Sequence, residues 1–198
     1  DSLIYFVAIY KKMGTHFDHL FFESEVADIG KEIVYEGLKK AIFEKGEKGA
    51  IVFKGEKVGL HTRVFINSEG LPTYEAKDLA LPALKYTYFK YDTSIIITAH
   101  EQNAYFNVML AALIEIKPEL AKKTFHIGHG MMRLPEGKMS SRTGKVITAE
   151  SLIEKVKEMV RQKAVDRKLD DATIEMIAIG AIKYSILKQS IGSDIIYD

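Results

Sequence analysis

Residues 137–145 read GKMSSRTGK. This cationic, hydroxyl-rich stretch follows an apolar segment at residues 125–132 and precedes a helical pattern that begins near Thr148. A strand that leads through a polar loop into a helix is typical of α/β folds, in which ligands bind at the carboxyl ends of parallel strands. The stretch therefore predicts an α/β fold with a ligand-binding loop at the end of a strand.

The side chains of this loop suit a polyphosphate ligand. Lys138, Arg142 and Lys145 supply positive charge. Ser140 and Ser141, together with backbone N–H groups, supply directional hydrogen bonds. A basic loop rich in glycine and serine is also compatible with a solvated surface turn, so the rest of the chain has to decide between the two interpretations.

Four segments of the chain resemble one enzyme family. Residues 138–142 (KMSSR) resemble the Lys-Met-Ser-Lys-Ser signature of class I aminoacyl-tRNA synthetases, the loop that closes on ATP during amino-acid activation. With TGK at residues 143–145, this form looks like the arginyl branch. Three further segments match in the same order: YKKMGTHFDHLFFESE at 10–25, GLPTYEAKDLA at 70–80 and AHEQNAYF at 99–106. The chain thus resembles arginyl-tRNA synthetases through nearly its whole length.

The loop departs from the general signature at Ser141, where the family has a second lysine. The identity of the cation that faces the pyrophosphate is therefore open. Arg142 can clamp phosphate oxygens bidentately, whereas Lys138 or Lys145 can serve as a point charge. We rank Lys138 and Arg142 first, and the resemblance implies a catalytic role for Lys138, Ser140, Ser141 and Arg142.

The resemblance implies a partial enzyme. We expect an α/β fold that is the second half of a Rossmann-like parallel sheet domain, with a small antiparallel insertion at about residues 48–67. Residues 1–147 would form this part of the catalytic domain, and residues 148–198 a helical segment that leads into an anticodon-binding domain. Because the other half of the ATP site would be missing, we expect the isolated fragment to be inactive.

Tyr74, Asp78 and Gln102 are the candidate arginine-binding residues. A guanidinium ligand needs a carboxylate, further acceptors and a flat or aromatic wall. Tyr74 and Asp78 are four residues apart in a helical segment, so both project from one face. Gln102 follows a strand-like run and would stand at its carboxyl end. Arginyl-tRNA synthetases place a Tyr, an Asp and a Gln at the matching positions, where they hold the substrate's side chain and ammonium group.

Each of the three residues also has a purely structural interpretation. Tyr74 is compatible with a helix aromatic whose hydroxyl lies at the surface. Asp78 is compatible with an ion pair to Lys77 or Lys85, and Gln102 with a cap on the following helix.

Five positions are candidate ATP contacts by resemblance. Glu101 lies in a His-Glu-Gln motif similar to the one with which several class I synthetases meet the ribose, although an acidic residue in a helix's first turn is favoured in any case. Gly130, Met131 and Met132 follow the last parallel strand and could meet adenine through main-chain groups. Lys138 would contact the phosphates.

Residues 126–129 spell His-Ile-Gly-His, the other class I signature, in the wrong place. That signature belongs after the first strand of the nucleotide-binding fold, far upstream of the lysine loop. We therefore expect His126 and His129 to be hydrogen-bonded strand residues, and we expect no metal site because a third ligand is lacking.

Composition predicts a globular domain in the cytoplasm. The 198 residues are 47% hydrophobic and 28% charged, with a net charge of +1 and no cysteine. The lack of cysteine excludes disulfides, thiol catalysis and cysteine zinc sites. The longest apolar run, residues 3–10, is far shorter than the roughly 20 residues of a membrane helix. Residues 136–168 carry nine Lys/Arg against five Asp/Glu, a bias that could face tRNA phosphates or simply lie on solvated helices.

The function implied by the resemblance is arginine-tRNA ligase activity, with L-arginine, ATP, Mg2+ and tRNA(Arg) as substrates. One alternative is a class I synthetase for another amino acid. Asp78 argues against glutamate as that substrate, and the missing cysteines argue against a zinc-using cysteine site. A second alternative is a non-catalytic, synthetase-like module that binds tRNA or a protein. The sequence does not reveal the oligomeric state.

Periodicity predicts the remaining elements. We expect a helix to residue 13, a helix over 26–45, short antiparallel strands at 50–53, 58–60 and 63–66, a helix over 73–90 broken or kinked at Pro82, a strand at 93–100, a helix over 101–116, a strand at 123–132, and helices over 148–164 and 171–189.

Overall fold

The computed structural model describes residues 2–134, 137–138 and 148–196. The chain divides into two compact units, one of residues 20–129 and one of residues 1–19 with 130–198. These units are defined by how compactly the chain packs. The boundary predicted between a catalytic part at residues 1–147 and a helical segment at 148–198 stays a prediction.

Helices and short strands alternate along the chain. In order they are α1 (Ser2–Lys12), α2 (Glu23–Lys39), β1 (Glu44–Lys45), β2 (Ile51–Phe53), β3 (Arg63–Ile66), α3 (Tyr74–Tyr88), β4 (Ser94–Ala99), α4 (Asn103–Ile116), α5 (Pro118–Ala121), β5 (Thr124–His129), β6 (Met132–Leu134), β7 (Gly137–Lys138), α6 (Ala149–Lys163), α7 (Asp171–Leu187) and β8 (Ile195–Ile196). Three 3-10 turns lie at Glu47–Gly49, Gly55–Val58 and His100–Gln102.

The central feature of unit 20–129 is a parallel strand pair. Strands β4 and β5 pair in register from Ser94 opposite Thr124 to Ala99 opposite His129. Helix α4 connects them and buries one face, which includes Phe106, Met109 and Leu113. The predicted β-α-β arrangement is confirmed, and it places both strand ends at the same edge of the sheet.

Helix α2 ends at Lys39, six residues before the predicted end at residue 45. Ala41 takes a left-handed conformation at φ 58°, and the Gly37 carbonyl accepts the Ile42 N–H. This reversal turns Phe43 into the core, where its ring lies 4.9 Å from that of Phe65. Full burial of such a ring contributes about 1.5–3 kcal/mol, so tertiary packing outweighs the helical periodicity of this segment.

The antiparallel sheet has the order β1-β2-β3. The predicted outer strands at 50–53 and 63–66 are present, but the strand predicted at 58–60 is wrong. Gly55–Val58 instead form a 3-10 turn that ends at Gly59 with φ 73°. A left-handed residue at this position interrupts extended pairing, and the partner of β2 on its other side is β1.

The helix around Pro82 continues without interruption from Tyr74 to Tyr88. The proline removes one backbone donor, and the Pro82 carbonyl accepts the Tyr91 hydroxyl at 2.9 Å. The predicted interruption of the helix at this residue is wrong, and the alternative of a kink stays a prediction.

The strand predicted at 123–132 is two strands. Strand β5 ends at His129, and β6 begins at Met132 in a different sheet with the order β7-β6-β8. Gly130 lies between them, where a Cβ atom would stand 1.8 Å from the Ser193 carbonyl oxygen. The close approach of the segment that leads into β8 therefore requires glycine at the break.

Helices α6 and α7 begin where the sequence predicts. Thr148 caps α6 by accepting the Ser151 N–H, and Asp170 caps α7 by accepting the Thr173 N–H. Among residues 2–134, 137–138 and 148–196, no helix combines the length and apolar character needed to cross a bilayer.

Candidate active site

Asp78 lies in the first half of α3 and is largely withdrawn from water. The Tyr105 hydroxyl, from α4, donates to its Oδ2 at 2.6 Å. Burial raises the pKa of the Asp78 carboxyl, the bond from Tyr105 opposes that rise, and the nearby carboxylates of Glu75 and Glu23 add to it. Asp78 is therefore a desolvated carboxylate with its outer oxygen fixed by one hydroxyl, a group that favours a cationic ligand.

The ion-pair interpretation of Asp78 fails. Lys77 pairs with Glu23 across the α2–α3 contact, and Lys85 donates to Ser94 Oγ at 2.6 Å. Neither lysine is paired with Asp78. In the described part of the chain, the bond that the structure shows to the Asp78 carboxyl comes from the neutral hydroxyl of Tyr105.

Tyr74 opens helix α3 and is 66% exposed. The Lys77 ammonium lies 5.2 Å from its ring centroid. Tyr74 and Asp78 are one helical turn apart, as predicted, and the exposed ring is compatible both with a wall for a ligand and with an ordinary surface aromatic.

Gln102 stands just beyond the carboxyl end of β4, in the 3-10 turn that precedes α4. Its side chain is exposed and makes no capping bond to α4. Gln102 thus occupies the N-cap position of α4, but its side chain does not cap the helix. Glu101, the predicted ribose contact, occupies the same turn and is exposed.

Tyr105 and Arg63 are residues that sequence reasoning missed. Arg63, from β3, holds Glu75 Oε1 at 3.0 Å, and its guanidinium carbon lies 5.3 Å over the Tyr105 ring. Successive side-chain contacts from Glu75 through Arg63 and Tyr105 to Asp78 thus link β3, α3 and α4. One signal in the sequence pointed to Tyr105, since it lies three residues after Gln102 at helical spacing, but nothing local marks Arg63.

The main chain of Met131 is already engaged. Its N–H donates to Asp194 Oδ1 at 2.7 Å, and its carbonyl accepts the Ile195 N–H at 2.9 Å. Asp194 is fixed in turn by Arg133 Nε at 2.5 Å. Adenine contacts by Gly130, Met131 and Met132 stay a prediction, and at Met131 they would use the second lone pair of the carbonyl.

Only part of the lysine loop falls within the described residues. Lys138 lies in β7, with its backbone paired opposite Arg133 in β6. Ser140, Ser141, Arg142 and Lys145 lie outside the described residues, and their roles stay predictions.

His126 and His129 lie in β5, as predicted. His126 Nε2 is 2.8 Å from Thr98 Oγ1, and its ring stacks on Phe106 with centroids 4.2 Å apart. Burial lowers the pKa of His126. In the part of the chain that the structure describes, no group of three His, Asp or Glu side chains could hold a metal ion.

Comparison with protein families matches residues 8–198 to the family described as "tRNA synthetases class I (R), catalytic domain". The chain belongs to this family. It is an α/β domain of the class I synthetase type, with parallel strand pairing and a Rossmann-like framework.

Arginine-tRNA ligases are among the curated relatives of this synthetase domain. The chain is 34% identical to an arginine-tRNA ligase of Bacteroides thetaiotaomicron, in an alignment that covers 90% of this chain and 31% of that protein. It is 30% identical to an arginine-tRNA ligase of Treponema denticola, in an alignment that covers 96% of this chain and 33% of that protein. The chain therefore spans about a third of the length of the curated relatives it matches.

Solved structures of synthetases have the same fold. An arginyl-tRNA synthetase from Plasmodium falciparum superposes with a TM-score of 0.77 at 21% identity, over 100% of this chain and 34% of that one. The enzyme from Thermus thermophilus gives a TM-score of 0.68 at 20% identity, over 96% of this chain and 39% of that one.

Proposed function

We propose that this chain is part of an arginine-tRNA ligase. The complete enzyme would activate L-arginine with ATP and Mg2+ and transfer it to tRNA(Arg) in the cytoplasm. The observation that carries the proposal is Asp78, a desolvated carboxylate without a lysine or arginine partner among its described contacts, in a chain whose curated relatives are named arginine-tRNA ligases.

Asp78 suits the substrate's guanidinium on electrostatic grounds. An ion pair in a partly desolvated site is stronger than one in water, and a bidentate guanidinium satisfies the lone pairs that the Tyr105 bond leaves open. Binding the cation also favours the ionised carboxylate and reverses the effect of burial on its pKa. Tyr74 would supply an aromatic wall, and Gln102 a polar contact for the substrate's ammonium group.

The ATP contacts complete the proposal. Lys138 and Arg142 would stabilise the leaving pyrophosphate together with Mg2+, with hydrogen bonds from Ser140 and Ser141. Glu101 would accept a ribose hydroxyl, and the segment 130–132 would meet adenine. The carboxylate of arginine attacks the α-phosphate and pyrophosphate leaves. A hydroxyl of the terminal tRNA ribose then attacks the activated carbonyl and AMP leaves.

The basic segment near α6 contains fewer available cations than its composition suggests. Lys157 is buried and bonded to Asp171 and Glu175, and Arg161 is paired with Asp171. Exposed cations of α6 and the segment after it, which include Lys163, Arg167 and Lys168, would meet tRNA phosphates.

The test is a charging assay with the full-length protein, bulk tRNA, ATP, Mg2+ and each of the twenty amino acids in turn. Charging with arginine alone is the expected result. Charging with a different amino acid would keep the fold and discard the assignment of Asp78, whereas no charging at all would favour a non-catalytic module.

A further inference from the structure

Tyr105 is buried at 9% exposure, yet its hydroxyl is committed to a single acceptor, Asp78 Oδ2. Burial of Tyr105, together with its bond to Asp78, raises the pKa of its hydroxyl, so it remains a donor throughout the accessible pH range. The phenol is therefore the donor and Asp78 Oδ2 the acceptor whenever Asp78 is ionised. It fixes one of the two oxygens of Asp78.

The ring of Tyr105 also has defined contacts, with Arg63 and Phe106. On one side the Arg63 guanidinium lies over it at 5.3 Å, anchored by Glu75 at 3.0 Å. Next to it in sequence, Phe106 packs edge-on with centroids 4.9 Å apart. Since Glu75 and Asp78 lie three residues apart on α3, both ends of this chain of contacts return to the same helix. The arrangement fixes the hydroxyl relative to the helix that carries the candidate specificity residue.

We propose that Tyr105 is a positioning residue for the recognition of arginine, which orients the Asp78 carboxylate for the substrate's guanidinium. The inference rests on the proposed function of Asp78. It adds that specificity depends on α4 and on the antiparallel sheet through Arg63, and not only on the residues that touch the substrate. A carboxylate with one oxygen fixed loses less rotational freedom when it binds a planar fork, so the hydroxyl contributes affinity without contacting the ligand.

The contacts around Asp78 also predict how the use of arginine depends on pH. The groups that face it are Tyr105 from α4, Glu75 from its own helix and Glu23 from α2. The Tyr105 bond stabilises the ionised form, whereas both glutamates and burial oppose it. Removal of the hydroxyl therefore raises the pKa of Asp78, and arginine use is lost at a higher pH on the acid side.

The experiment compares two tyrosine variants in the full-length protein. Tyr105→Phe removes the bond to Asp78. Tyr91→Phe is the matched control, because it removes a hydroxyl bonded at 2.9 Å to the Pro82 carbonyl. For Tyr105→Phe we expect KM for arginine to rise about tenfold, the effect of one charge-assisted hydrogen bond. KM for ATP should stay within about twofold, and the acid limb of kcat/KM for arginine should move to higher pH.

A second comparison tests whether Tyr105 acts through Asp78. The double variant Asp78→Asn/Tyr105→Phe should have the same KM for arginine as Asp78→Asn, because the group that Tyr105 positions is gone. This double variant also removes the carboxylate that Phe would leave unpaired, so it serves if Tyr105→Phe alone does not fold. A further rise in KM for arginine in the double variant would overturn the proposal.

The failures of the two proposals are distinguishable. If the unaltered protein does not charge tRNA with arginine, the proposed function fails and the role of Tyr105 fails with it. If it does, and Asp78→Asn impairs arginine use while Tyr105→Phe behaves like Tyr91→Phe, only the positioning role is overturned. An equal rise in KM for arginine and ATP in Tyr105→Phe, or an unshifted acid limb, overturns that role as well.

Discussion

At the scale of the residue, the role proposed for Asp78 comes with a cost in stability. Its carboxyl lacks a cationic partner among the described contacts and lies in a partly dry environment, where burial raises its pKa. Replacement by Asn keeps the shape and one acceptor oxygen but removes the charge. We expect Asp78→Asn to lower kcat/KM for arginine about 100-fold, or about 2.7 kcal/mol, with little effect on KM for ATP. The steady-state kinetics of tRNA charging measure both, with the exposed Asp92→Asn as control.

The same substitution should stabilise the fold, and the sign follows from the pKa. Burial raises the pKa of Asp78 in the folded state above its unfolded value of 3.8. Stability therefore falls as pH rises through the window between the two values, and above that window the ionised carboxylate is a net cost. We expect Asp78→Asn to raise Tm at pH 7 by about 2–4 °C, the shift that about 1 kcal/mol gives in a chain of this size. At pH 3.5 the gain should vanish, and an equal change at both values of pH would contradict the argument.

At the scale of the element, the crossing of α2 and α3 depends on Gly30. A Cβ atom there would stand 2.3 Å from the Ala76 carbonyl oxygen, and backbone cannot move aside as a flexible side chain can. We expect Gly30→Ala to destabilise the chain by about 1–3 kcal/mol, seen as a lower urea midpoint in circular dichroism. Gly180→Ala in α7 is the control. It has nothing within 4 Å of the added Cβ, and it should be neutral or stabilising by up to about 1 kcal/mol.

The sequence predicted well those elements whose limits are set by local residue patterns. The strand-like run before Gln102 predicted β4, and the helical periodicity of residues 148–164 and 171–189 predicted α6 and α7. The end of α2 was wrong because Phe43 leaves the helical pattern to join a core built from distant strands. Likewise, Tyr74, Asp78 and Gln102 could be proposed from local motifs, whereas Arg63 reaches the cluster only through the tertiary contact of β3 with α4.

The contact of α6 with α7 contains a buried cation. Lys157 is 5% exposed, and its ammonium lies 3.1–3.4 Å from carboxylate oxygens of Asp171, Glu175 and Glu154. Bonds to these carboxylates raise the pKa of Lys157, with Asp171 first among them. We expect Lys157→Met to lower Tm because three carboxylates then repel one another, and the loss should shrink in 1 M salt, where the Debye length is about 3 Å.

A matched control on the same helix separates this structural role from tRNA binding. Lys163 is exposed, so Lys163→Met should leave Tm unchanged but lower the slope of log K for tRNA against log salt by about 1. Lys157→Met should leave that slope unchanged, because its charge is already neutralised. A reversed pattern would mean that Lys157 faces tRNA and that the carboxylate cluster is not what holds it.

At the scale of the whole molecule, the two units differ in how completely they bury apolar side chains. Unit 20–129 has a continuous core to which α2, α3, α4 and the antiparallel strands contribute. In the other unit, α1 has no buried residue, and Ile4 is 74% exposed. Helix α7 also exposes Met176, Tyr184 and Leu187. Large apolar side chains exposed together on a helix mark a surface that associates with another surface.

This asymmetry predicts how the isolated 198-residue chain behaves in solution. We expect it to self-associate at about tens of micromolar, because apolar burial contributes about 25 cal/mol per Å² and α1 leaves Leu3, Ile4 and Val7 exposed. Sedimentation velocity over a concentration series measures this. Ile4→Glu should shift the distribution toward the monomer, whereas Leu71→Glu, which adds the same charge at an exposed apolar residue of the other unit, should not. A chain that stays monomeric at every concentration, or that responds equally to both substitutions, would show that α1 is not an associating surface.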